Sequence, residues 1–179
     1  MRFTGVDIPH YSQIDEAYLL FKPTEGATTA QDGPIDLQIR VEWTVDAKPL
    51  KAEKRDISSR KYFSTVIPWA PKLWHNANNV QMSVNIGPLL QSVVNQASWK
   101  PKNAILVQIT SASSGKKGMR VAKSFDNVTH TPGMRVVYHT EESLRSASTA
   151  QPSPRTCKCV WGSAVPAGVA AASLVLGNR

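Results

Sequence analysis

Two antiparallel β-sheets packed face to face, with one short helix, are what three features of this 179-residue chain predict. The first is alternation. Ile35, Leu37, Ile39, Val41 and Trp43 fall on one face and Asp36, Gln38, Arg40, Glu42 and Thr44 on the other, the period of a strand with one wet side. The second is recurrence, since about eight short apolar segments are separated by turn residues rather than by crossover helices, which favours an all-β sandwich over βαβ units. The third is a single helical stretch. Gly87-Pro88 opens it, Leu89, Leu90, Val93 and Val94 share one face, and Gln91, Ser92, Asn95 and Gln96 take the other. Trp99, just past its end, is placed to cap the helix against a sheet.

The remaining elements follow in order. Phe3 to Ile8 is a short strand candidate ended by Pro9-His10, and Ile14 to Phe21 a stronger one. Residues 24–34 lack an apolar period and read as loop. Residues 48–60 are charged and aperiodic, a surface excursion. Strand character resumes from Tyr62 to Ile67, and residues 68–74 form a proline-punctuated loop with two tryptophans. Val80, Met82, Val84 and Ile86 alternate into the helix, Ala104 to Ile109 is dense enough for a buried strand, and Met119 to Phe125 and Met134 to Tyr138 complete the set.

Composition bounds function. The chain carries 21 basic and 13 acidic side chains, a net charge of +8, but the excess is spread along the sequence rather than gathered into a stripe with interleaved aromatics. Cys157 and Cys159 are its only cysteines, so residues 1–140 hold no disulfide framework. Residues 1–140 read as the sandwich module. Residues 141–179 read as a flexible Ser/Ala/Pro-rich tail whose apolar stretch near its end contains Pro166 and falls short of the roughly 20 residues a membrane helix needs. No signal peptide opens the sequence, which leaves a cytoplasmic protein or a fragment of a longer one.

No enzyme chemistry is legible. The chain lacks a nucleophile elbow, a phosphate-binding loop and a zinc-protease pair, and His10, His75, His130 and His139 have no metal-ligand spacing. Asp15-Glu16 and Glu141-Glu142 are adjacent acids, which a strand points to opposite faces. No cofactor is expected. Asp7, Asp32 and Asp126 are the acids available to a structural calcium, in a spacing that matches no calcium loop.

A set of segments resembles a known group. RFTGVDIP at 2–9, AYLLF at 17–21, ISSR at 57–60, the loop with Val66, Trp69 and Trp74, the helix ending in Trp99, and RVAKSFD at 120–126 are together similar to jelly-roll modules of secreted and surface proteins, the galactose-binding-like and DNRLRE-type domains. The resemblance implies a jelly-roll sandwich without catalytic activity. Members of the group carry at least one strand before the first of these segments, so either the true N-terminus lies upstream or the sandwich lacks an edge partner, and the resemblance implies a module that is part of a larger multidomain protein. The turn at Pro101-Lys102-Asn103 departs from the group's usual Gly before the Asn.

Sugar-binding sandwiches stack aromatic faces on pyranose C–H groups and ring them with amides and charged side chains. Trp69 and Trp74, with His75, Asn76, Asn78 and Asn79 directly after, supply both ingredients, and Arg60 and Tyr62 add a basic and an aromatic group. The same two indoles also suit inward packing as plugs, and Lys51, Lys54, Arg55, Arg60 and Lys61 also suit an ordinary solvated face. Arg120 and Asp126 bracket a strand as candidates for a buried ion pair. The expectation is an extracellular or cell-surface module that binds polysaccharide or glycoprotein glycans or serves in adhesion, without specific nucleic-acid binding. A ligand-free spacer or assembly domain and a basic polyanion-binding module are the alternatives.

Overall fold

The computed structural model describes residues 1–24, 33–74, 79–112, 118–124, 131–140, 154–160 and 173–177. Among them the chain is mostly β, with two four-stranded antiparallel sheets and a single short helix, the all-β sandwich the alternation predicts. The first sheet runs β1 (Arg2–Phe3), β6 (Ile105–Ser111), β3 (Leu37–Val41), β4 (Ile67–Trp69). The second runs β5 (Gln81–Met82), β2 (Gln13–Phe21), β8 (Gly133–His139), β9 (Arg155–Val160). β7 (Met119–Lys123) pairs with β10 (Ser173–Gly177) and touches the end of β2 through a bridge between Pro23 and Ala122.

Register follows from which side chains must share the interior. In the first sheet Ile39 lies opposite Ile109 and Val41 opposite Val107; in the second Leu19 lies opposite Met134 and Ala17 opposite Val136. These residues and the helix face of α1 (Gly87–Val94), Leu89, Leu90, Val93 and Val94, merge into one buried cluster. Trp99 caps it as expected, its ring buried and its Nε1 donating to the Ile8 carbonyl at 2.9 Å. In β2 both Ile14 and Ala17 face inward, which strict alternation forbids, and a register shift between Ile14 and Glu16 resolves the conflict. That irregularity leaves both Asp15 and Glu16 exposed instead of on opposite faces.

Several readings of the sequence are corrected. The segment from Val80 to Ile86 pairs as a strand only at Gln81–Met82, and Val80 and Met82 are exposed while Ser83 is buried. Beyond Met82 side chains take over from the ladder. The Ser83 hydroxyl accepts from Leu19 N–H at 2.9 Å, the Asn85 carbonyl oxygen from Ala17 N–H at 2.9 Å, and the Gln91 carbonyl oxygen from Ile14 N–H at 2.8 Å. Gln91 therefore does not simply face solvent, since its amide also donates to the Ser12 carbonyl. Phe3 to Ile8 is strand only at its start, because from Val6 the backbone bonds to the Lys102–Asn103 turn. Trp43, the last inward position of the alternating pattern, lies beyond the end of β3 and is exposed. Within residues 141–179, two segments form strands, β9 along β8 and β10 along β7.

Arg120 is buried, with 1% of its surface exposed, and its Nε, Nη1 and Nη2 donate to the carbonyls of Lys72, Gly33, Met119 and Pro71. Asp126, the partner the sequence suggests, lies outside the described residues. Gly118 seals the same region. A Cβ there would stand 2.4 Å from the Pro34 oxygen, so only glycine allows the approach that its N–H makes to that oxygen at 2.9 Å.

Removing the Ser83 hydroxyl strands a buried N–H, so Ser83→Ala is expected to lower unfolding free energy by about 1–3 kcal/mol in urea titrations. Arg120→Met strips donors from several carbonyls at once and is expected to cost about 3 kcal/mol or more by the same measurement.

Candidate functional site

The described part of the loop that the sequence singles out for ligand binding is built inward. Strand β4 aligns Trp69 opposite Leu37, an inward position, and residues 70–74 carry Trp74 onto the same Phe21 ring. Trp69 and Trp74 are each 4% exposed and stack on Phe21 at centroid separations of 5.7 and 5.8 Å, with 6.5 Å between the two indoles. Neither ring offers an open face to a sugar in this arrangement; both are core side chains. Phe21 ends β2 on the inner face and offers its ring to both indoles. His75, Asn76 and Asn78 lie outside the described residues, and Asn79 is exposed.

Arg60 and Tyr62 belong to a different region. Arg60 reaches from the excursion to both Glu42, at 3.1 Å, and Asp56, at 3.1 Å, and donates to the Lys48 and Pro49 carbonyls as well. Its side chain is largely covered, and the Lys51 N–H together with Arg60 holds the Asp56 carboxyl below its ordinary pKa. Arg60 is thus a staple that fastens residues 48–60 to the end of β3. Lys51 also stands 3.5 Å from Glu53, so the apparent run of positive charge is partly neutralised within the loop. Tyr62 lies under the Arg40 guanidinium, 4.2 Å from ring centroid to Cζ, and its hydroxyl donates to Ile57 at 2.9 Å. Burial raises the Tyr62 pKa, keeping the phenol a donor. The structure does not bring Arg60 and Tyr62 to the Trp69–Trp74 rings as one constellation; each is engaged by its own neighbours.

Two features remain open. A groove of about 370 Å³ is lined by residues 33–36, residues 70–73 and Arg120. Asp36 and Lys72 are its other charged lining residues, while Pro34, Pro71 and Leu73 make its walls apolar. The second is Trp43, with 60% of its surface exposed. Its N–H donates to the Lys61 carbonyl at 2.9 Å, which fixes the backbone, and its ring leans on half-buried Phe63 at 6.3 Å and 44°. Thr44 follows it, its carbonyl accepting from the Gln96 amide at 3.2 Å and its hydroxyl engaged with Asp46.

Trp43 is the aromatic that alternation places on the inward face, and Val45 and Ala47 carry the same period past it, so nothing in the pattern marks it as exposed. Among the described residues no cluster of three or more His, Cys, Asp or Glu is arranged to hold a metal ion. Of the acids considered for calcium, Asp7 is exposed and Asp32 and Asp126 lie outside the described residues. No helix among the described residues is long and apolar enough to cross a membrane.

The two classes of tryptophan separate by stability. Trp69→Ala and Trp74→Ala are each expected to cost about 3–5 kcal/mol by creating a cavity in the core, whereas Trp43→Ala, at an exposed position, is expected to stay within about 0.5 kcal/mol of the parent; thermal and urea unfolding of the three variants measure the contrast.

Compared with protein-family models the chain matches none, and neither the curated proteins nor the solved structures give a significant match.

Proposed function

We propose that this chain is a non-catalytic carbohydrate-binding or adhesion module of extracellular or cell-surface proteins, and that Trp43 supplies the stacking face. The observation that carries the reading is the exposed indole held by its backbone bond to Lys61 and by Phe63 beneath one side. An indole kept out of the core on a fixed strand end loses little conformational freedom on binding, and a pyranose presents an apolar C–H face of matching size. Lys61, Thr44 and Gln96, on the segments that meet at Trp43, are the polar residues proposed to bond to hydroxyls. The resemblance of the segments at 2–9, 17–21 and 120–126 to galactose-binding-like modules supports the same reading. Phe21 and Arg120 account for the inward turn of the Trp69–Trp74 loop, so the ligand face shifts to the end of the sandwich where β3 stops.

Retention on insoluble polysaccharides and on a glycan array tests this. The parent chain is expected to be retained by at least one glycan, and Trp43→Ala to reduce that retention about tenfold or more with an unchanged melting temperature, a loss of roughly 1.4 kcal/mol or more. If no neutral or acidic glycan retains the parent, the reading fails in favour of a ligand-free spacer. If DNA and heparin retain it alike and salt abolishes both, generic polyanion affinity replaces it.

A further inference from the structure

The pair Cys157 and Cys159 plays no part in the glycan reading, yet its geometry is specific. The two residues stand two apart on β9, which places both side chains on one face of the strand. That face turns inward: Cys159 is 5% exposed within the core cluster and Cys157, half-buried, packs against it. Cys159 lies opposite Met134 and Cys157 opposite Val136 on β8, and β9 is the outermost strand of its sheet. The two sulfurs are 2.8 Å apart, against about 2.05 Å in a disulfide. No other cysteine exists in the chain to compete for either.

We propose that Cys157 and Cys159 form a reversible disulfide within strand β9, made by exchange with low-molecular-weight disulfides.

The surroundings divide the roles. The Cys157 thiol is pulled down to about 7, first by the hydrogen bond from Cys159, with burial opposing and the Asp7 main chain assisting. Cys159 is pushed up, first by that same hydrogen bond and then by burial, so it keeps its proton. Cys157, the more accessible of the two, therefore carries the thiolate that attacks. Its sulfur bonds to one sulfur of the small disulfide, whose S–S bond breaks and releases one thiolate. Cys159 then loses its proton and attacks the Cys157 sulfur of the mixed disulfide, expelling the second thiolate. Two hydrogens and two electrons leave the protein, and the small disulfide is reduced to two thiols.

The bond is also easily reversed. Residues two apart in a strand have Cα atoms about 6.6–6.8 Å apart, the far end of what a disulfide spans, so closure strains the strand. A strained bond has a more oxidising potential and is of the labile, regulatory kind. The cost falls on the pairing of β9 with Met134 to Val136, so the oxidation state is written into an edge strand.

The test uses the full chain, reduced and then incubated with oxidised glutathione, acid-quenched, alkylated under denaturing conditions and weighed intact. The expected product is lighter by two hydrogens, bears no alkyl group and retains no glutathionyl group. Dithiothreitol should restore two alkylatable thiols. Cys159→Ser should stop at the mixed disulfide on Cys157, and Cys157→Ser should react about tenfold or more slowly than Cys159→Ser. Two alkylated cysteines after oxidation, a wild-type chain that stops at the mixed disulfide, or a covalent dimer in place of the intramolecular product each overturns the proposal. The wild-type mass alone decides whether the bond forms, so poor folding of a variant does not shelter it.

Discussion

The outer edge of β2 is the constraint around which the second sheet is built. β2 carries Ala17, Leu19 and Phe21 into the core, and its other edge pairs with β8 over nearly its full length. On the free side its N–H groups at Ile14, Ala17 and Leu19 need acceptors, because a buried unpaired donor costs as much as a lost hydrogen bond. A strand partner exists only at Gln81–Met82. Ser83, Asn85 and Gln91 provide the rest with side-chain oxygens, and Ser83 N–H and Ile86 N–H return bonds to the Leu19 and Ala17 carbonyls. This arrangement lets the chain leave the sheet and enter α1 without exposing an edge, and it places the helix over the core between the sheets.

The aromatic end of the sandwich depends on a second arrangement of the same logic. The backbone of residues 71–72 runs over the core with carbonyls that no strand satisfies, and Arg120, reaching from β7, donates to them and to Gly33. A guanidinium suits this because its planar fork addresses several carbonyls at once. With the loop backbone fixed there, Trp69 and Trp74 turn onto Phe21. The inward packing of those rings is thus coupled to a buried cation fifty residues away in the sequence, which no reading of the loop alone contains.

What the sequence made legible follows from this division. β6 announced itself as a dense apolar run, β2 and β8 as short apolar segments bounded by turn residues, and β3 through period-two alternation, because burial on one face selects residue type at every second position. So did α1, through Leu89, Leu90, Val93 and Val94, and the cap at Trp99. The segment from Val80 to Ile86 misled because its ladder is replaced by hydrogen bonds from Ser83 and Asn85, and polar side chains that satisfy a backbone look the same in sequence as polar side chains that face water. Trp43 misled because alternation runs on through Val45 and Ala47, past the end of β3 at Val41, and only the pairing partner defines where a strand stops. Strand β9 lay in a stretch of tail composition, yet Thr156, Cys157, Lys158 and Cys159 alternate once cysteine is counted as a small apolar residue. The site was less legible than the fold, since a tryptophan in a loop and a tryptophan in a core differ by contacts made far along the chain.

The interior of each sheet is committed to packing, and that commitment dictates where chemistry can reside. An inward-facing side chain in the middle of β3 or β8 is flanked on both sides by paired strands and covered by the opposite sheet, so it cannot reach a ligand without unmaking the core. Reactive or adhesive groups drawn from the inward-facing positions therefore stand where a ladder ends or where a strand has a neighbour on one side. Trp43 meets the first condition, one residue pair beyond the end of β3, and the Cys157–Cys159 pair meets the second, on the outermost strand of the second sheet. The two differ in what the boundary contributes. At Trp43 it provides exposure with a fixed backbone, which suits reversible recognition of a surface. At β9 it provides compliance, because an outer strand can pucker to close a strained sulfur–sulfur bond while β2 and β8 hold the core beneath it.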